Sequence, residues 1–345
     1  GLNGEDFMSI KLEDVAKIAG VSKATASLAL NGSQLVKNET REKVLNIAKE
    51  KHYVPHTLAR GLARKKSGII GVIVPDIESE YYGKLVRHLD EDIRRKGYTM
   101  VLAISNDQPE KERKSVEMFI AQCAEGVIIA PINYPNDDLS YVEQLDENNI
   151  PVVYVTAYYP SVNRGCVMVD LEQGEYLLVH HLLDTGHKKI LFLTGSHRII
   201  PSISRIRGYY QAYSEKNLKV DADNIVECKR IDYEYTYNYI EEFLDNSLEY
   251  PDAIITVNDM MALGAINALR RRSIEVPDEI SIAGYDDVSY SKVSPIPITT
   301  IHQDIQEMSL KVVNMIMAQI ENGDTVIEKI WIAPELIVRN STRPR

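Results

Sequence analysis

The sequence predicts an all-α headpiece joined to a two-lobed α/β core with parallel sheets. Three observations predict it. Charge is segregated by sign: residues 8–66 hold 12 Lys and Arg against five acids, whereas the 345-residue chain as a whole has a formal net charge of −11. A basic head on an acidic body confines any polyanion contact to the head. Within that head, apolar residues recur at helical spacing. From Ile69 onward, short β-branched runs alternate with amphipathic helices, the pattern of parallel sheets covered on both faces.

Taken in order, residues 1–8 are set apart as a cloning scar, with Met8 the expected native start. Gly1–Phe7 has neither the basic nor the apolar region of a secretory signal. Residues 9–54 form the headpiece. Leu12, Val15, Ala16 and Ala19 fall at i, i+3, i+4 and i+7, an amphipathic helix. Gly20-Val21-Ser22 breaks it, and Ser22 suits the cap of a second helix reaching about Leu30, closed by Asn31-Gly32. A third helix is expected from about Glu39 to Lys51 with Asn38 as cap. Residues 55–67 are the hinge: Pro55 opens a fourth short helical stretch, His56 to Arg64, and Lys65-Lys66-Ser67-Gly68 is a polar linker.

Residues 68–345 form the core. Strands are expected at Ile69–Pro75, Met100–Ser105, Val127–Ala130, Val152–Val155, Ile190–Thr194, Ala253–Val257 and Ile280–Ala283. Helices are expected at Tyr82–Lys96, Glu110–Gln122, Gly174–Thr185, Arg205–Lys216, Tyr235–Asn246 and Asp259–Arg272. This is more chain than one open sheet usually holds, so two lobes are expected. No apolar run approaches the roughly 20 residues of a membrane span. The three cysteines (Cys123, Cys166, Cys228) are widely spaced, give no metal or disulfide pattern and suit a reducing cytoplasm.

Two helices joined by a tight turn containing Gly can place the second helix in the DNA major groove. Ala26, Ala29 and Leu30 are spaced to pack inward. Lys23, Ser27 and Asn31 share the opposite face, beside Ala24 and Leu28. Lys23 can donate to guanine, Ala24 or Leu28 can touch a thymine methyl, and Thr25, Ser27 and Asn31 can bind phosphate. Spacing alone fits this reading and also a small helical bundle that touches no DNA.

The motifs are more specific. Leu12-Glu13-Asp14-Val15-Ala16-Lys17-Ile18-Ala19-Gly20-Val21-Ser22, then Thr25, Ser27 and Asn31-Gly32, resemble the lactose/galactose repressor (LacI/GalR) family. Thr40-Arg41-Glu42-Lys43-Val44, Tyr53-Val54-Pro55, Leu58-Ala59-Arg60-Gly61-Leu62 and Ser67-Gly68-Ile69-Ile70-Gly71 continue the match. Thr299-Thr300-Ile301 and Leu336-Ile337-Val338-Arg339-Asn340-Ser341-Thr342 carry it to the end. The resemblance implies a helix-turn-helix repressor, a homodimer on a pseudo-palindromic operator, with Lys37, Thr40, Tyr53, His56 and Ala59 added to the DNA-facing set. It also implies a hinge helix that forms on operator and wedges Leu62 into the minor groove, as such wedges do; simple packing between paired hinges is the other role for Leu62. Leu28 stands where relatives commonly carry Arg, Lys37 where a capping Ser is usual, and His56 where Asn is often seen, so operator preference is expected to differ.

For the core, the resemblance implies a type I periplasmic-binding-protein fold. One lobe would come from 68–167 and 298–328, the other from 168–297 and 329–345, with the cleft at the carboxyl ends of the strands. The matching effector positions are Asp76, Tyr81, Tyr82, Thr156, Arg205, Tyr233, Asn258, Asp259 and Asp286. Arg and Asp between aromatic faces suit a polyol such as a sugar. Asp259 could instead cap its helix, Arg205 could be a surface charge, and the tyrosines could be core. Thr156 stands where sugar-binding relatives often carry Asp, which leaves modified sugars and nucleosides open.

Catalysis is not expected. His180-His181 has no acidic or cysteine partner at metal-ligand spacing, and neither a nucleophile elbow nor a phosphate loop is present. No cofactor or metal is called for, and membrane contact is not expected. A regulator controlled by a protein cofactor and a solute-binding protein are the rival readings. With no heptad segment after Arg345, a dimer of dimers is not expected.

Overall fold

In the computed structural model the described residues are 10–30, 32–53, 67–247, 249–323 and 327–345. They form two compact units divided between Ser67 and Gly68. The head packs α1 (Leu12–Ala19), α2 (Lys23–Leu30) and α3 (Asn38–Glu50) around Val15, Ala16, Ala19, Ala26, Ala29, Val36, Val44 and Ala48. Five of these eight are alanine, and short side chains let three short helices approach closely. Gly20 ends α1 at φ 72°, a left-handed turn that glycine adopts without cost, and its N–H reaches the carbonyls of Ala16 and Lys17. Ser22 Oγ accepts from the Thr25 N–H at 3.1 Å. The expected cap Asn38 is instead the first residue of α3. Lys37 takes the cap position without a side-chain bond, and Arg41 secures the preceding loop by donating to the carbonyls of Ser33 and Val36.

The core contains two parallel sheets. The first has six strands: β1 (Ile69–Val74), β2 (Thr99–Ile104), β3 (Gly126–Ile129), β4 (Val152–Val155), β5 (Gly165–Val169) and β11 (Lys329–Ile332), in the order β11-β5-β4-β3-β1-β2. The helices α4 (Glu80–Arg95), α5 (Pro109–Ala121), α6 (Ser140–Glu147) and α12 (Ile305–Asn322) accompany it. The second sheet runs β7 (Ile225–Glu227), β6 (Ile190–Thr194), β8 (Ala253–Thr256) and β9 (Ser281–Ala283). Its helices are α7 (Leu171–Asp184), α8 (Ile200–Glu215), α9 (Tyr233–Asn246), α10 (Asp259–Arg271) and the short α11 (Ser289–Val293). β10 (Thr300–His302) and β12 (Glu335–Ile337) pair antiparallel beside it.

Strands β3, β4, β6 and β8 are buried at every position, which is why they read as continuous apolar runs rather than as alternating ones. The lobe boundaries expected from the sequence need correction at two places. Residues 329–332, expected in the second lobe, pair with Cys166–Val169 and close the edge of the first sheet. Thr299, expected in the first, bridges Ala283 of the second. The final segment does return to the second lobe: Ser341 accepts from the Ile282 N–H at 2.8 Å, and Arg345 pairs with Asp252.

Candidate nucleic-acid interface and central cleft

α2 is two-sided. Ala26 and Ala29 are fully buried, whereas Ser22, Lys23, Ala24 and Leu28 are exposed and Thr25, Ser27 and Leu30 half-buried. The outward row carries a cation, a hydroxyl and two apolar groups, the mixture that can meet both phosphates and base edges. Lys23 Nζ pairs with Glu13 of α1 at 2.6 Å, both about two-thirds exposed. Such an exposed pair is weak, so the ammonium remains available to a polyanion. Lys37 is exposed, Thr40 and Tyr53 are half-buried, and Tyr53 packs on the head's core. Asn31, His56, Ala59 and Leu62 lie outside the described residues.

In the core a cleft of about 900 Å³ opens at the carboxyl ends of the strands. Pro75 and Asp76 follow β1, Asn106 and Asp107 follow β2, and Pro131 to Tyr134 follow β3. Thr156 follows β4, Arg230 to Asp232 follow β7, and Val257 and Asn258 follow β8. Asp286 follows β9, Arg205 projects from α8, and Tyr81 and Tyr82 come from the start of α4. Several of these residues have left-handed backbones: Asn106 (φ 49°), Asp107 (φ 56°), Thr156 (φ 69°) and Asp286 (φ 98°). For a β-branched residue such as Thr156 that conformation is strained, and strain of this kind collects where side chains must be aimed.

At the cleft floor the Arg205 guanidinium lies 4.4 Å from the centre of the Tyr285 ring and reaches the Val257 carbonyl only at 3.5 Å. Asp286 accepts from Gln303 Nε2 at 2.6 Å. Burial pushes its carboxyl up to about 6, against the pull of Arg205 and Gln303. Beneath the floor, burial pushes Glu175 up to about 8, and neither of its carboxyl oxygens has a hydrogen-bond partner among the described residues. Donors and acceptors thus converge on a partly apolar cavity, a geometry that holds a small hydroxylated molecule.

Comparison with known proteins decides the family. Residues 11–56 match the description "Bacterial regulatory proteins, lacI family", and residues 179–342 match "Periplasmic binding protein-like domain". The chain is 31% identical over 337 residues to the HTH-type transcriptional regulator DegA of Bacillus subtilis (strain 168), covering 98% of this chain and 99% of the relative. The chain belongs to the lacI family. It is 32% identical over 335 residues to the HTH-type transcriptional repressor PurR of Haemophilus influenzae (strain PittEE), covering 96% and 98% of the two chains. Among solved structures, the lac repressor dimer bound to operator and the anti-inducer ONPF superimposes with a TM-score of 0.83 at 27% identity, covering 97% of this chain and 99% of that one. This lacI-family chain is accordingly a DNA-binding transcriptional regulator. The relatives it matches are regulators rather than enzymes.

Seven of the nine residues expected around the effector line the lacI-family core's cleft: Asp76, Tyr81, Tyr82, Thr156, Arg205, Asn258 and Asp286. Two do not. Tyr233 turns toward α10, where its hydroxyl accepts from Asn267 Nδ2 at 3.1 Å, and its ring stacks on Tyr237 of its own helix. Asp259 is buried behind the cleft wall. One oxygen accepts from Thr300 Oγ1 at 2.7 Å and the other from the Val288 N–H at 3.0 Å. Burial, then the charge of Asp286, raises its carboxyl well above the ordinary range. It is a structural tie. Asp76 lines the cleft but accepts from the N–H groups of Glu78 and Ser79. Sequence reasoning missed Asp107, Asn133, Tyr134, Arg230, Asp232 and Gln303, all lining residues. Their only signal was position, just after an apolar run. His180 does find an acidic partner, Asp184 at 2.9 Å; among the described residues no three such groups gather to hold a metal.

Proposed function

We propose that this regulator is a repressor that acts in the cytoplasm as a homodimer on a pseudo-palindromic operator, its affinity switched by a small molecule bound between the core lobes. The observation that carries the reading is α2, with Ala26 and Ala29 turned inward and Ser22, Lys23, Ala24 and Leu28 presented together outward. Lys23, Ala24 and Leu28 are assigned to base edges. Ser22, Thr25, Ser27, Asn31, Lys37, Thr40, Tyr53 and His56 are assigned to phosphate and register, and Ala59 and Leu62 to the minor groove. Arg205, Asp286, Asn258, Tyr81, Tyr82 and Thr156 are assigned to the effector. Support comes from PurR, named a repressor, and from the lac repressor structure, a dimer on operator DNA. The alternating donors and acceptors of the floor favour a sugar or related metabolite over an apolar ligand.

Duplexes selected from a random library on the full chain test the reading. Recovered sites should contain inverted half-sites, and a variant beginning at Ser67 should lose them. Equal affinity of the shortened chain for the selected duplex overturns the assignment. Leu62→Ala should weaken the selected site while sparing salt-dependent non-specific binding; unchanged affinity and bend refute the wedge.

A further inference from the structure

We propose that the effector carries a protonated amine, an amino sugar being the class that fits, and that Asp107 receives the ammonium. The proposal rests on reading the cleft as an effector site. Most carboxylates of the cleft are already matched. Asp76 serves the amides that open α4. Asp232 pairs with Arg230 at 2.5 Å and caps α9. Asp286 has Arg205 and Gln303.

Asp107 differs. Its hydrogen bonds come from Asn133, the backbone N–H at 2.7 Å and Nδ2 at 3.1 Å, both neutral donors. No Lys, Arg or His among the described residues pairs with it; the charge acting on it is that of Asp76, of the same sign. Burial pushes its carboxyl up. A half-buried anion without a counter-charge is costly, and consecutive left-handed residues, Asn106 and Asp107, fix it on the cleft wall.

The surroundings suit a cation. Tyr82 and Tyr134 line the same cavity close enough for the Asp107 charge to act on both hydroxyls, and tyrosine rings favour an ammonium. The rest of the floor offers a guanidinium, a carboxylate and two amides (Arg205, Asp286, Asn258 and Gln303), which hydroxyl groups can satisfy as donors and acceptors. Hydroxyls on one side and an ammonium on the other describe an amino sugar. A phosphorylated or carboxylated sugar would meet Asp107 and Asp76 with the wrong charge.

Titration calorimetry on the full chain, near pH 7 and ~0.1 M salt, with three matched pairs tests this: glucosamine against glucose, galactosamine against galactose, mannosamine against mannose. One amine should bind about tenfold or more tighter than its neutral partner. Asp107→Asn should erase that preference, bringing each amine to the affinity of its neutral partner, and N-acetylation of the sugar should erase it in the wild type. Should Asp107→Asn not fold, the N-acetyl comparison alone decides. Equal or better binding of the neutral partner overturns the proposal, as does a preference that survives Asp107→Asn. Binding of no sugar in any pair overturns the amino-sugar class, and the regulator reading then stands or falls on its own DNA experiment.

Discussion

Replacing Asp259 by alanine separates a structural carboxylate from a ligand-binding one. The side chain is 1% exposed and satisfies two buried donors, Thr300 Oγ1 at 2.7 Å and the Val288 N–H at 3.0 Å. Each orphaned donor costs about 1–3 kcal/mol. Removing a carboxyl that burial disfavours returns part of that, so the net loss is about 2–4 kcal/mol. For a core of this size the melting temperature should fall by about 3–7 °C. Thermal unfolding of the full chain, followed by circular dichroism, measures it. Thr300→Val should lose part of the same stability, and the double variant should be little worse than Asp259→Ala alone, since the Thr300–Asp259 hydrogen bond is common to both changes. Selected-duplex binding well below the transition should persist. A melting temperature within about 1–2 °C of wild type would mean that Asp259 does not hold these donors and that its assignment away from the ligand is mistaken.

Lys23→Ala should leave the melting temperature unchanged, because the Lys23–Glu13 pair is exposed, yet weaken binding to the selected duplex by about 1–3 kcal/mol and relax specificity at the base it reads; unaltered affinity and specificity refute the base contact. Gly208→Ala should destabilise the core by about 1–3 kcal/mol, since a Cβ there would collide with the Glu172 carbonyl and come within 2.8 Å of the Tyr176 nitrogen; wild-type stability in urea would show that α7 and α8 have room. Asp286 titrates near 6 when folded, above its ordinary 3.8. A raised carboxyl contributes stability below the unfolded value and loses it as pH rises through the folded one. Asp286→Asn should therefore be more stable than wild type at pH 8, by up to ~3 kcal/mol, with the gain gone near pH 4; a gain independent of pH refutes the shift.

What was legible in the sequence follows from locality. Buried parallel strands declare themselves as apolar runs, so β1 to β4, β6, β8 and β9 were found where they lie. Strand β5 begins at a glycine with a cysteine beside it, and β10, β11 and β12 are three or four residues long; their pairing is set by chain returning from far away, which no local pattern records. The same holds for the cleft. Asp259 reads correctly as an acid at the first turn of a helix, but its partners lie 29 and 41 positions on, and they decide that it faces inward. Tyr233 sits beside the cleft's Asp232 and still turns away, because Asn267 of the neighbouring helix holds its hydroxyl while its ring stacks on Tyr237 one turn along its own helix. Asp107 sits in a loop whose aim depends on left-handed backbone angles, to which residue type is a weak guide, and Asn133 is known as its partner only once the two loops meet.

Four consecutive residues after β9 show how a contact in the cleft can be felt elsewhere in the core. Asp286 faces the cavity. Asp287 holds Arg339 of the returning C-terminal segment, His302 at 3.0 Å and Lys292. The Val288 N–H is tied to Asp259 at the start of α10. The Ser289 N–H donates to Glu80 of α4 at 2.8 Å, across to the other lobe, where Glu80 also pairs with Lys84. With two left-handed residues at its head, the segment has little slack to absorb a shift. A ligand group that draws on Asp286 would therefore pull on a strap fastened to both lobes. The fastening to Glu80 lies at the helix whose next two residues, Tyr81 and Tyr82, line the same cavity. If the effector contacts Asp286, contact and lobe position would be linked through adjacent peptide units, a physical route for the coupling that allosteric control of DNA affinity needs.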